Sequence, residues 1–137
     1  MVFVDTNIFI YAHDESDPHK TRVARQVLTD LVSKKQIIIS TQVVQEFCNV
    51  MLRKSVKPLK TADIHLIIKE LLAPLIAHQP DAEFYFRALD TYKKYSLSWY
   101  DGLIIQAALD TKCKLLYSED LQNGQIFGEL TVTNPFI

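Results

Sequence analysis

The 137-residue chain is short of glycine, cysteine and long apolar runs, and each shortage excludes a class of protein. There are three glycines, the first at position 102, so no glycine-rich turn follows the first strand-like segment as a dinucleotide-binding loop requires. The two cysteines, Cys48 and Cys113, lie far apart and furnish neither a disulfide framework nor a paired-cysteine zinc site. They read as small core residues. The longest unbroken apolar stretch, Leu71 to Ala77, is seven residues long and includes Pro74, against the roughly 20 that a membrane-spanning helix needs. None of His13, His19, His65 and His78 has the spacing of a His-Glu-x-x-His metal site. The start, Met1-Val2-Phe3-Val4-Asp5, lacks a basic segment and reaches a carboxylate too early for a secretory signal, so a cytoplasmic protein with no membrane partner is expected. No linker, charge block, low-complexity tract or internal repeat appears, and a single domain over residues 1–137 is expected.

What is present suits an ordinary folded protein: 48% hydrophobic and 23% charged residues, enough for a real core. Fifteen basic and 16 acidic residues give a net charge of −1. With four carboxylates gathered around cations, the other 12 acidic residues are outnumbered by the 15 basic ones, a mild surplus that suits an anionic polymer.

Short β-branched runs alternate with longer helical patterns. Val2 to Val4, Ile37 to Ile39, Leu75 to Ala77, Lys114 to Tyr117 and Leu130 to Thr133 read as strands. Helices are expected over Thr21 to Ser33, from Ser40 or Thr41 to a stop at Lys57-Pro58, over Thr61 to Leu72, over Asp81 to Tyr95, and through the apolar run Leu103 to Leu109, which must be buried. The alternation predicts a parallel sheet covered by helices, with right-handed crossovers.

In such sheets, sites form beyond the carboxyl ends of the strands. Asp5 stands there after the first strand, and Asp120 after the fourth in Leu116-Tyr117-Ser118-Glu119-Asp120. Asp101 opens the buried helix, and Glu46 sits at the border of the apolar face made by Val43, Val44, Phe47, Val50 and Met51. Taken alone, the three aspartates have a bland explanation as helix caps or turn residues, whereas a solvated helix Glu would prefer the face opposite Glu46's. Taken together, two strand ends and two helices bring all four carboxylates to one edge. Clustered carboxylates repel unless a hard cation neutralises them. Oxygen-only ligands suit Mg²⁺ or Mn²⁺, and one or two such ions about 3.5–4 Å apart activate water for phosphodiester hydrolysis without a side-chain nucleophile.

Val-Asp-Thr-Asn at 4–7, Glu46 in Gln-Glu-Phe, Tyr-Asp-Gly at 100–102 and Ser-Glu-Asp-Leu-Gln at 118–122 occur in an order and spacing that resemble the PIN-domain ribonucleases, most of all VapC-type toxins of bacterial toxin–antitoxin pairs. The resemblance covers essentially the whole chain. It implies a three-layer α/β/α fold with a central parallel sheet. It also implies an acidic quartet of Asp5, Glu46, Asp101 and Asp120, supported by Thr6 or Asn7 and Ser118, with Glu119 as a further carboxylate. Mg²⁺-dependent cleavage of RNA, a homodimer and a cognate antitoxin covering the groove are implied with it. Gly102 replaces a usual Ala, and Asn123 stands where His often follows.

Arg53, Lys54, Lys57 and Lys60 cluster around one helix end and offer phosphate contacts, with Lys34-Lys35 and Lys93-Lys94 as extensions; a solvated helix end explains each cluster equally well. Trp99 and Tyr100 suit stacking on an unpaired base, although core packing or a dimer interface is their simpler role. His13 and Asp14 are placed in the loop after the first strand, near the groove. A phosphoacceptor domain is excluded because Thr6-Asn7 follows Asp5 and His78-Gln79 follows the third strand; a haloacid-dehalogenase-type phosphatase would want an acid at Asn7. The alternative to a nuclease is a non-catalytic PIN-fold RNA-binding or interaction module.

Overall fold

A computed structural model describes residues 1–53 and 59–137. In chain order the elements are β1 (Val2–Val4), α1 (Thr6–His13), α2 (Pro18–Ser33), β2 (Ile37–Ser40), α3 (Thr41–Arg53), α4 (Thr61–Ile67), β3 (Ile76–His78), α5 (Ala82–Tyr95), α6 (Trp99–Asp110), β4 (Leu115–Tyr117), β5 (Ile126–Phe127) and β6 (Leu130–Thr133). The expected helix stop at Lys57-Pro58 lies outside the described residues.

The strands form one sheet in the order β3-β2-β1-β4-β6-β5. Val2 pairs with Ile37 on one side and Leu115 on the other, both in parallel. Only β5 runs antiparallel, Ile126 opposite Thr131, so the sheet is mainly rather than wholly parallel. Right-handed crossovers from β1 through β2 to β3 put α1 to α4 on one face, and the return from β3 to β4 puts α5 and α6 on the other. The packing agrees: α1 touches α2 and α3, α3 touches α4, and α5 lies along α6. This is a three-layer α/β/α arrangement.

Helices α1, α2, α5 and α6 start where the sequence supplies a side-chain acceptor for a first-turn N–H group. Asp17 accepts from Lys20 N at 3.2 Å ahead of Pro18, and Asp81 accepts from Phe84 N at 2.8 Å. Asp101 does not open α6 as a cap. Ser98 does, accepting from Asp101 N at 3.2 Å, and Asp101 is the third helical residue. Ser40 likewise does not cap α3, because its Oγ has no hydrogen-bond partner. The helix expected over Thr61 to Leu72 is regular only to Ile67; a wide turn over Ile68–Leu72 and a tight one over Ala73–Leu75 follow. Pro74 donates no N–H and crowds the preceding turn, so a regular helix cannot continue there.

The core includes the completely buried rings of Phe3, Phe9, Phe47 and Phe127, each worth about 1.5–3 kcal/mol of apolar burial. Gly102 has a packing reason: a Cβ there would approach Tyr92 Cβ to 3.3 Å, so glycine lets α5 and α6 close together. Gly102 to Ala108 are buried, as the apolar run requires.

Candidate active site

Viewed along the chain, β1 is followed outward by β2 and β3, and the chain then crosses back to β4 on β1's other side. The carboxyl ends of β1 and β4 are therefore the switch point where open parallel sheets place their sites. Asp5 N donates to Tyr117 O at 2.9 Å, fixing the two strand ends side by side just before their polar loops begin.

Asp5 is buried, 5% exposed, and its side chain does two things at once. Its Oδ1 accepts from Thr6 N at 2.7 Å, capping α1, and its Oδ2 accepts from Ser118 Oγ at 2.7 Å across the strand gap. Ser118 Oγ in turn accepts from Asp120 N at 3.2 Å. Asn7 Nδ2 donates to Asp120 Oδ2 at 3.1 Å, while Asn7 Oδ1 accepts from Glu119 N at 3.4 Å. Glu46 reaches the same place from α3, where its Oε1 accepts from Thr6 Oγ1 at 2.8 Å. Gln42, one turn before Glu46, donates to that oxygen at 3.4 Å and to Tyr100 O at 3.2 Å, joining α3 to the start of α6. Asp101 follows one residue later.

Electrostatics ties the four acids together. Burial pushes the Asp5 carboxyl up to about 7, against the pull of Ser118 and Thr6, and the charges of Asp120 and Glu46 push the same way. Burial also raises Glu46, whose hydrogen bonds from Thr6 and Gln42 oppose the shift and whose acidic neighbours Asp101 and Asp120 add to it. Asp101 is raised by burial and then by Asp120, with Ser98 opposing. Each of these three carboxylates thus lies within the field of at least one other, and their shifts are answered by hydroxyls and amides, not by cations.

Among the described residues, no group of three or more His, Cys, Asp or Glu side chains forms a ready-made metal cage. The donor set is nevertheless all oxygen and short of positive charge. It fits a hard cation that takes one or two carboxylates directly and keeps its waters, as Mg²⁺ does. Asp5, Glu46, Asp101 and Asp120 are the residues available to hold it.

The other expected site residues divide. Thr6, Asn7 and Ser118 enter the network directly. Glu119 turns elsewhere: it accepts from Lys20 Nζ and, at 2.6 Å, from Tyr11 OH. Lys20 also lies over the Tyr11 ring, 4.7 Å from its centre, and Phe136 packs edge-on to Tyr11. Arg53 and Lys60 are exposed at the end of α3 and just before α4, whereas Lys54 and Lys57 lie outside the described residues. His13 belongs to α1 and not to a loop; its Nδ1 meets Phe9 O at 2.8 Å and its ring packs against Phe47, so it takes no part in the acidic network. Sequence reasoning missed Gln42, Ser98 and Lys20. Gln42 carried a signal in its spacing of four residues from Glu46, and Ser98 in its place three residues before Asp101; Lys20 carried none.

Fold and pocket together define an α/β protein with an all-oxygen acidic site at the switch point of its sheet. The PIN domain family matches residues 2–124, and the chain belongs to that family. PIN domains are generally nucleases. No curated protein sequence gives a significant match. Among solved structures, FitAcB from Neisseria gonorrhoeae superposes with a TM-score of 0.62 at 18% identity, covering 99% of both chains. FitAB bound to an IR36 DNA fragment gives a TM-score of 0.69 at 20% identity, over 100% of this chain and 96% of that one. At these identities the likeness is one of fold. No helix among the described residues is long and apolar enough to cross a membrane.

Proposed function

We propose that the protein is a divalent-cation-dependent endoribonuclease acting as the toxin of a VapC-type toxin–antitoxin pair, with residues 1–137 as one PIN unit. The observation that carries this reading is Asp5: a buried carboxyl pushed up to about 7, with Glu46 and Asp120 adding negative charge beside it. A fold places such a group at its switch point at a cost in stability, which a bound cation offsets.

In this reading Asp5, Glu46, Asp101 and Asp120 hold Mg²⁺ or Mn²⁺. When bound, the cation supplies Lewis-acid activation of water and charge stabilisation at the phosphate. The chain's own residues set the stage for it. Ser118 Oγ and Thr6 N fix both oxygens of Asp5, favouring its ionised form. Asn7 aims Asp120, and Thr6 Oγ1 with Gln42 holds Glu46 toward the pocket. Burial favours the protonated form of Asp5, so a cation held there would compete with that proton. Thr6 and Ser118 orient ligands and are positioning residues. The exposed stripe of Tyr85, Phe86, Leu89 and Tyr92 on α5 supports a protein contact, consistent with a homodimer or a cognate antitoxin.

The test is cleavage of single-stranded RNA by purified protein with and without Mg²⁺. Asp5→Asn and Asp101→Asn should abolish cleavage while keeping the fold; unchanged cleavage removes these residues from the mechanism. A non-catalytic RNA-binding or interaction module is the second reading, favoured by the lack of a ready-made cage among the described residues. It predicts binding without cleavage at any divalent concentration.

A further inference from the structure

Beside the acidic pocket, at the carboxyl ends of β2 and β3, lies a groove of about 200 Å³. Its lining includes Ser40, Gln45, His78, Tyr85, Trp99 and Tyr100. It adjoins the carboxylates through Gln42, another lining residue, which donates to both Glu46 and Tyr100 O, and through Tyr100 itself, the neighbour of Asp101.

Two observations point to a ligand. Ser40 is 2% exposed, and its Oγ is the single buried side-chain polar atom among the described residues without a hydrogen-bond partner. Such an atom is costly to leave unmatched. The walls are aromatic, yet one is wasted on water: Tyr100 is 65% exposed, although Trp99 beside it is half-buried and braced edge-on by Tyr92. The volume falls below the roughly 300–1,000 Å³ of pockets for drug-sized ligands, so it suits one flat ring and not a folded chain.

We propose that this groove is a nucleobase subsite: it takes one unpaired base of the RNA strand whose backbone runs past the acidic pocket, stacked against the aromatic wall and hydrogen-bonded by Ser40 Oγ. The proposal rests on the nuclease reading for its substrate. Bases splayed out of a single strand are held in this way, by aromatic stacking with hydrogen bonds to their edges. A hydroxyl both donates and accepts, so Ser40 Oγ can match a donor or an acceptor on a base edge. The base bound here sets which phosphodiester lies over Asp5, so the groove confers sequence preference on cleavage.

Trp99 is the chain's only tryptophan, and its fluorescence reports occupancy. The full chain in EDTA, where no cleavage is possible, is titrated with the four ribonucleoside 5′-monophosphates, a short single-stranded RNA and ribose 5-phosphate. At least one monophosphate should quench Trp99 and ribose 5-phosphate should not. Ser40→Ala should weaken the preferred monophosphate by about five- to tenfold, the scale of one hydrogen bond. Its thermal stability should be unchanged or raised, since an unmatched polar atom is removed. Tyr100→Ala, at an exposed wall, should weaken all four alike. With Mg²⁺, Ser40→Ala should still cleave but with altered base preference.

Quenching by none of the nucleotides, equal quenching by ribose 5-phosphate, or unchanged affinities in both variants overturns the subsite. Quenching only by a co-expressed partner protein overturns it in favour of a protein occupant. Base-dependent quenching in a protein that never cleaves RNA upholds the subsite and sinks the nuclease reading. Asp5-dependent cleavage with no quenching does the reverse.

Discussion

Two carboxylates withdrawn from water in this molecule, Asp110 in part and Asp5 fully, have opposite fates. Asp110, at the end of α6, is held by two donor side chains: Arg87 Nη2 at 2.7 Å and Nε at 3.3 Å, and Gln106 Nε2 at 2.8 Å. Burial would raise its pKa, but the Arg87 and Gln106 hydrogen bonds win and hold it below the ordinary carboxylate value. Asp5, more deeply buried, has only Ser118 and Thr6, and its pKa rises to about 7. The difference is charge compensation inside the chain. Asp110 is finished as it stands and holds α5 against α6. The acidic pocket carries a deficit that something outside the chain must fill.

The largest expected effect breaks the deficit at its centre. Asp5→Asn should lower divalent-dependent RNA cleavage by at least about 100-fold, read by single-turnover assays. The same variant should stabilise the cation-free protein at pH 7.5. Because the folded pKa of Asp5 lies above its unfolded value near 3.8, the native state binds more protons, and stability falls as pH rises from about 4 through 7. The loss contributed by Asp5 is bounded at about 4 kcal/mol, and denaturant titrations across this range should show the slope flatten in Asp5→Asn.

Next, Mg²⁺ or Mn²⁺ should raise the melting temperature of the wild type at pH 7.5, less in Glu46→Gln, and fully in Asp110→Asn. An equal shift in wild type and Glu46→Gln separates Glu46 from the cation site. Asp110→Asn sharpens the contrast from the other side. It should cost about 1 kcal/mol, reduced because Arg87 is half exposed, and leave cleavage intact. That contribution is present above the unfolded carboxylate value and is lost as pH falls through the depressed pKa. Smallest is Lys20→Ala, which releases Glu119 and loosens the loop carrying Asp120. Cleavage should fall by a few-fold at unchanged melting temperature, checked by comparing kcat with KM.

Much of this arrangement was legible in the sequence, for reasons that also mark the limit. Strands β1, β2 and β6 announce themselves as β-branched runs, and the acids follow strand ends, Asp5 directly after β1 and Asp120 three residues after the end of β4. Helix α1 went unread because Ile8, Phe9, Ile10 and Ala12 are apolar all round a short segment, with no polar face to reveal a period. Strand β5 has two residues, too few for alternation to register. For Asp101, capping competes with the site role in the sequence because Ser98 and Asp101 both suit a helix start, and only geometry assigns the cap to Ser98. Glu119 stands in the sequence as a further carboxylate beside Asp120. Its diversion to Lys20 and Tyr11 depends on a contact 99 residues away in the chain, which no local pattern encodes.

The most direct measurement is the titration of the Asp5 side-chain carboxyl by carbon-detected nuclear magnetic resonance, with and without Mg²⁺. A midpoint near 7 in EDTA that drops when Mg²⁺ is added is the expected result, since the cation competes with the proton for an uncompensated group. A midpoint at the ordinary value near 4, unmoved by Mg²⁺, would contradict it.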